Sequence, residues 1–338
     1  MRTRLQEELL KIYKEVKRVC EKNKISYFAL GGTALGAVRH EGFIPWDDDI
    51  DLGVPVDQYE KFVKALKKDL NEPYEYKDLL WMGGKVHNKN TAFIETTCLM
   101  DVENCYGIFL DVFPIIGTPN EPAEREKFIE RMRFFKNNSL TFDRYRKASK
   151  HSLKELRKEK QEILSQNSLS EAERIVEFSF GYDFTRDRRG LENPRIVKFE
   201  DTTIPLSSKI EEDLTAQYGD YMKLPPKNQR IPHNDFAIVD FKTPYRELFK
   251  ELYQNIDGRL LKLLEQKHYL EGVYSDGASY EATRNSILEK ELKNKEKIIN
   301  EQGQELGTLR EQYREITNSR AYKIARKVSL LANKLRRR

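Results

Sequence analysis

Four aspartates fall within five positions, Asp47, Asp48, Asp49 and Asp51, directly after Pro45-Trp46. Residues 50–54 (IDLGV) read as a strand, which sets Asp49 and Asp51 on one face of it. Two carboxylates held side by side repel unless a cation sits between them. Hard oxygen donors of this kind suit Mg2+ or Mn2+, which takes one or two carboxylates and fills its remaining positions with water and phosphate. Upstream, Gly31-Gly32-Thr33 follows an apolar run, ISYFAL (25–30), and opens a helical stretch that reaches Arg39. Glycines at a strand-to-helix turn let the backbone approach a phosphate, with the helix N-terminus facing the negative charge. A glycine turn joined to an acidic pair is the layout of metal-assisted phosphoryl or nucleotidyl transfer. A third acid, Asp111, lies inside the apolar run GIFLDVFP (107–114), where a lone carboxylate is costly without a partner. It either completes the metal site or takes the proton of an acceptor hydroxyl.

Further residues carry two readings each. Arg39 offers a bidentate fork for a donor phosphate or a structural ion pair, and His40 beside it carries a weaker version of the same choice. Trp46 either stacks on a base, faces a quaternary ammonium by cation–π attraction, or fills the core. Lys85 and Lys89 either neutralise phosphate or are solvated. His233, after the Pro225-Pro226 turn, belongs to the site or to the scaffold.

The elements that must position these groups follow from periodicity. Residues 3–22 carry Leu5, Leu9, Ile12, Val16 and Val19 on one helical stripe. Asp57 is expected to cap a helix running to about Leu70, and further strands are expected at 84–87, 91–95 and 108–113. Residues 122 to about 178 read as helical and strongly charged, with eight basic and two acidic residues between Arg144 and Lys160. Short strands and loops are expected over 195–246, and a last helix over 246–267.

The motifs carry a resemblance. GGTALGAVRHEGFIPWDDDIDLGV (31–54) resembles the signature of the LicD family, and GIFLDVFP resembles its second block. FED (199–201) and YGDYMKLPP (218–226), with His233 shortly after, are similar to its C-terminal block. The fukutin-related proteins are more distantly similar through the acidic motif. The resemblance covers roughly residues 5–245. It implies an α/β (α+β) nucleotidyltransferase-like fold, a mixed sheet with flanking helices. It also implies a transferase that moves a phosphorylated alcohol, phosphocholine foremost, from a CDP-linked donor to a sugar hydroxyl of a surface glycan or its lipid-linked precursor. On the motif match Asp49 and Asp51 hold Mg2+, Gly31 and Gly32 lie against the donor phosphates with Thr33, and Asp111 is the third acid, as ligand or base. Asp47 and Asp48 orient rather than ligate.

Beyond about residue 270 the character changes. GVYSDGAS (272–279) reads as part of a linker, 271–287. Leu288, Leu292, Lys295, Ile299, Gln302, Leu306, Leu309, Tyr313 and Ile316 follow 4-3 spacing, which predicts a coiled-coil helix over 288–318 and homo-oligomer formation through 288–316. The last twenty residues, 319–338, hold eight Lys or Arg and no acid. Their basic amphipathic pattern suits contact with an anionic membrane surface.

Composition narrows the classes. The net charge is +5 over the 338 residues, but the first 318 carry −3, so the body is not a surface built for nucleic acid. No run of about 18 apolar residues is present, and Met1–Leu10 lacks the apolar core of a secretory leader. Cys20, Cys98 and Cys105 make no disulfide framework. The expected place is cytoplasmic and peripheral on the inner face of the cell membrane. Two rivals stand beside the transferase: a nucleotidyltransferase that moves NMP itself, and a non-catalytic membrane scaffold for polysaccharide assembly.

Overall fold

The computed structural model describes residues 2–95, 106–144, 151–178, 184–232 and 236–247. Contacts divide the chain after Gly272, and everything below concerns the first unit. Cys98, Cys105, His233, the helix expected beyond Glu247, the linker, the heptad segment and the basic tail lie outside the described residues.

Helix α1, Arg4–Asn23, starts at a capping box in which the Thr3 hydroxyl accepts from the Gln6 N–H and the Gln6 side chain accepts from the Thr3 N–H. Next come β1 (Phe28–Ala29), α2 (Gly31–His40), β2 (Asp51–Pro55), α3 (Val56–Asp69), β3 (Tyr74–Asp78), β4 (Gly84–Asn88), β5 (Ala92–Glu95) and β6 (Phe109–Gly117). The chain continues through α4 (Pro122–Arg144), α5 (Leu153–Ser165), β7 (Arg174–Glu177), β8 (Arg186–Asp187), β9 (Arg195–Phe199), β10 (Thr202–Leu206), α6 (Ile210–Tyr218) and β11 (Phe236–Asp240). Asp57 falls in the first turn of α3 and is not its cap, which is Pro55. β3 was not expected, because YEYKD is polar and only half-buried. The charged stretch after 122 holds two helices and then a strand, β7.

A seven-stranded mixed sheet runs β1-β2-β6-β4-β3, with β7 on β6 and β8 on β7. β6 is its organising strand. It lies parallel to β2 and antiparallel to β4 over Phe109–Val112, then pairs antiparallel with β7 over Ile115–Gly117. Pro114 stands where the neighbour changes from β4 to β7, and its carbonyl accepts from the Phe178 N–H. Proline is tolerated at such a break in the ladder.

Alternation along the strands divides the two faces. Leu52, Val54, Val86, Leu110 and Val112 share one buried cluster with Leu9, Ile12, Val16 and Val19 of α1 and Phe62 and Leu66 of α3. Each such side chain contributes about 1.5–3 kcal/mol on full burial. A second cluster joins Ile116, Val176 and Phe178 to Phe128, Met132 and Phe135 of α4 and Leu156 and Ile163 of α5. The β9–β10 hairpin adds Phe199, whose ring meets Tyr13 and Phe43 edge-on. The odd-numbered residues of β2, β4 and β6 face the other way, and the acids are among them.

Candidate functional site

The acids are brought together by strand register. Asp51 of β2 is paired with Asp111 of β6, and Asp111 with Lys85 of β4, so the three side chains stand abreast on one face of the sheet. Lys85 Nζ lies 3.4 Å from Asp111 Oδ1 and 3.1 Å from the centroid of the Phe109 ring. Lys85 is 8% exposed. It is thus an internal partner of the third acid, and neither a solvated lysine nor one held out toward bulk phosphate. Lys89 pairs instead with Glu72 and Glu75.

The glycine turn is fastened to the same place by backbone bonds. The Asp51 carbonyl accepts from Leu30 N–H at 3.0 Å, and the Asp51 N–H donates to the Thr33 hydroxyl at 2.9 Å. Thr33 therefore acts from within, as a buried clamp between α2 and β2. Gly31 has φ +48°, a conformation glycine adopts without cost. A Cβ on Gly31 would lie 3.4 Å from Asp51 Oδ2 and 3.8 Å from the Tyr218 hydroxyl, and one on Gly32 would lie 3.2 Å from Asp47 Oδ2. The bare start of α2 thus faces the carboxylates directly.

Asp49 sits in the extended run just ahead of β2, whose ladder is prefigured by the bond from Asp111 N–H to the Ile50 carbonyl at 2.9 Å. Carboxylate oxygens of Asp47, Asp48 and Asp49 lie within 4.8 Å of one another. The loop carrying them is held by Gln6, a buried residue whose amide donates to the carbonyls of Ile44 at 3.1 Å and Asp47 at 2.9 Å. From the other side the Glu200 carboxylate accepts from Phe43 N–H at 3.0 Å and fills the space beside Gly42. The FED stretch is therefore a brace for the acidic loop.

Electrostatics mark the cluster as incomplete by itself. Burial, then the charges of Asp49 and Asp48, push the Asp47 carboxyl up to about 8, with Arg39 opposing. Burial, then Asp49, Asp111, Asp47 and Glu177, push Asp51 well above the ordinary range. Asp47 Oδ2 is buried with no hydrogen-bond partner. A buried oxygen without a donor, set among like charges, fits a hard divalent cation.

Arg39, at the end of α2, donates to the Tyr221 carbonyl at 2.7 Å, and it bears on Asp47 electrostatically. Burial and the Arg39 charge hold His40 below the usual imidazole range. Trp46 is half-buried against the core, and the Arg230 guanidinium lies 5.6 Å from its ring centroid. The tryptophan thus already faces a cation supplied by the chain.

Three residues escaped the sequence reading. Gln6 looks like an ordinary helix residue. Tyr218 ends α6 and is 40% exposed, yet its hydroxyl reaches the glycine turn, where burial and the charges of Asp51 and Asp47 raise it. Its only signal was membership of the YGDYMKLPP stretch. Arg186 on β8 makes a buried pair with Glu177 at 2.5 Å and 3.3 Å. Arg186 also lines a small recess beside Gly31, together with Phe28, Leu30, Ile115, Asp213 and Leu214.

A mixed sheet with acids abreast at the start of a glycine-led helix suits metal-assisted phosphoryl or nucleotidyl transfer. Residues 24–161 match the family described as LicD/FKTN/FKRP, nucleotidyltransferase domain. The chain is 29% identical over 241 residues to the lipopolysaccharide cholinephosphotransferase LicD of Haemophilus influenzae, covering 64% of this chain and 89% of that protein. An uncharacterised protein of Rickettsia typhi is 34% identical over 91 residues, 27% of this chain and 26% of its own length. Another, from Rickettsia prowazekii, is 48% identical over 46 residues, 14% of this chain and 17% of its own.

Proposed function

We propose that this chain is a phosphotransferase that moves a phosphorylated alcohol, phosphocholine foremost, from a CDP-linked donor to a sugar hydroxyl of a surface glycan or its lipid-linked precursor. The observation that carries the reading is the register of Asp51, Asp111 and Lys85 across three strands, opposite the bare N-terminus of α2. The likeness to a lipopolysaccharide cholinephosphotransferase supports the choice of phosphocholine.

The residues that would hold Mg2+ or Mn2+ are Asp49, Asp51 and Asp111, with Asp47 in reach. Once bound, the ion supplies neutralisation of the donor's diphosphate charge. The chain's own groups do the rest. Gly31 and Gly32 admit the phosphates to the backbone N–H groups of α2, and the Tyr218 hydroxyl donates to them. Asp111, with Lys85 Nζ at 3.4 Å, either completes that ligand set or accepts the proton of the acceptor hydroxyl. The acceptor oxygen then bonds to the phosphorus that bears the alcohol, the bond from that phosphorus to the bridging oxygen breaks, and CMP leaves with the electron pair. Positioning and charge placement lower the barrier, as in phosphoryl transfer generally.

We place the protein on the cytoplasmic side, where nucleotide-activated donors are made, and peripheral to the membrane. No helix among the described residues is long and apolar enough to cross one. Tail contact with anionic lipid and self-association through 288–316 belong to the same reading.

Product analysis decides it. Incubation with CDP-choline, CDP-ribitol, CDP-glycerol or CTP and a glycan acceptor should release CMP from one CDP-alcohol. Release of diphosphate from CTP would favour the nucleotidyltransferase reading, and partner binding without turnover on any donor would favour a scaffold.

A further inference from the structure

The segment that closes the site on the α6 side has no acid from Tyr221 to Asn234, and it carries Lys223, Lys227 and Arg230. Interleaved with them are Met222, Leu224 and Ile231, which are 57%, 43% and 65% exposed. The segment is a compact loop. Lys223 N–H bonds to the Asp220 carbonyl at 3.1 Å, a single 3-10 turn spans Lys227–Gln229, and Arg230 Nε donates to the Pro225 carbonyl at 2.8 Å. That last bond ties the residue before Ile231 to the residue after Leu224, which closes the loop on itself. The loop is also fastened to the site by Arg39, which holds the Tyr221 carbonyl, and by Arg230 over Trp46.

Single exposed apolar residues are ordinary on a protein surface. Three in ten positions, projecting from a braced loop with only cationic charge between them, are not. Aliphatic tips flanked by Lys and Arg suit the boundary of an anionic bilayer, where the tips enter the acyl region and the charges meet the headgroups.

We propose that the 221–231 loop is an interfacial docking surface that seats the mouth of the active site on an anionic lipid bilayer, through Met222, Leu224 and Ile231 with Lys223, Lys227 and Arg230. The purpose given to this contact rests on the transferase reading: it would present a lipid-linked acceptor to Asp111. The contact itself does not depend on that reading. It is separate from any contact made by 319–338.

The test uses the full chain. Leu224→Trp is mixed with vesicles of equimolar phosphatidylglycerol and phosphatidylcholine, some with brominated acyl chains, and Ile196→Trp on β9 serves as the exposed control. Blue-shifted emission and bromine quenching at position 224, absent at 196, are expected. The triple change Met222→Ser, Leu224→Ser, Ile231→Ser should weaken vesicle binding roughly ten-fold or more, while CMP release with a soluble acceptor stays at the unchanged protein's level. A position-224 reporter left unquenched on anionic vesicles, or triple-variant binding equal to wild type, overturns the proposal and points to a protein or glycan contact. Quenching at 224 together with no turnover on any donor would overturn the transferase reading and leave the loop proposal standing.

Discussion

Asp51 and Asp111 are directly paired residues on the parallel strands β2 and β6, and their carboxylates add to each other's cost of ionisation. Such a pair is a liability in an empty fold and an asset around a cation. Replacing Asp51 or Asp111 by Asn should lower turnover by on the order of a thousand-fold or more. Asp51→Asn should also raise the melting temperature in EDTA, because a buried like-charge repulsion is removed, whereas Asp111→Asn leaves the buried Lys85 without its carboxylate and should not. Thermal melts with EDTA and with Mg2+ check both halves: wild type should gain stability from Mg2+, and the Asn variants should gain less.

Gly31→Ala tests the approach to phosphate. At φ +48° a Cβ costs about 1–2 kcal/mol, and it would occupy the space between Asp51 and Tyr218. Donor KM should rise more than the loss of stability explains. Tyr218→Phe removes only the hydroxyl, so it should raise donor KM with an unchanged melting temperature.

The Arg186–Glu177 pair is buried on both sides, with side chains 8% and 9% exposed. Removing one partner leaves the other charged and unpaired. Glu177→Gln or Arg186→Met alone should therefore cost about 3–5 kcal/mol in denaturant unfolding, and the double variant should recover a substantial part.

His87 sets a pH dependence. It is 2% exposed, and burial, with the charges of Arg246, Lys77, Lys85 and Lys89, pushes its imidazole down to about 3. Below its ordinary range the unfolded chain binds a proton that the folded chain refuses. The stability of the neutral ring is therefore full above about pH 6.5 and is lost as pH falls toward 3. The slope reaches about 1.4 kcal/mol per pH unit. Unfolding titrations of wild type and His87→Gln should diverge over this window, with the variant less sensitive to acid.

Much of the fold was legible because its cores are periodic. The stripe of α1, the apolar runs of β2 and β6 and the helix after Gly31 are each written in a few consecutive residues; α1 and β2 lie within a residue of where the sequence sets them, while β6 runs on to Gly117, four residues past the expected end. β3 was missed because its polar sequence is made a strand by pairing with β4, and such support is invisible locally. Asp49 proved to lie just ahead of the strand it was expected to share with Asp51.

The sequence by itself determined the chemistry on offer: four aspartates in five positions, a glycine pair at a helix start, and one acid inside an apolar strand. Residue type and short spacing encode these, since a carboxylate is an oxygen ligand wherever it lies. The tertiary structure alone decided that Lys85 is the partner of Asp111, that Thr33 clamps β2 and that Trp46 faces Arg230. It also decided that Gln6, Tyr218 and Glu200 belong to the site or its braces. Those relations join residues far apart in the chain through strand register and backbone bonds, and register is fixed by the whole sheet closing on its core.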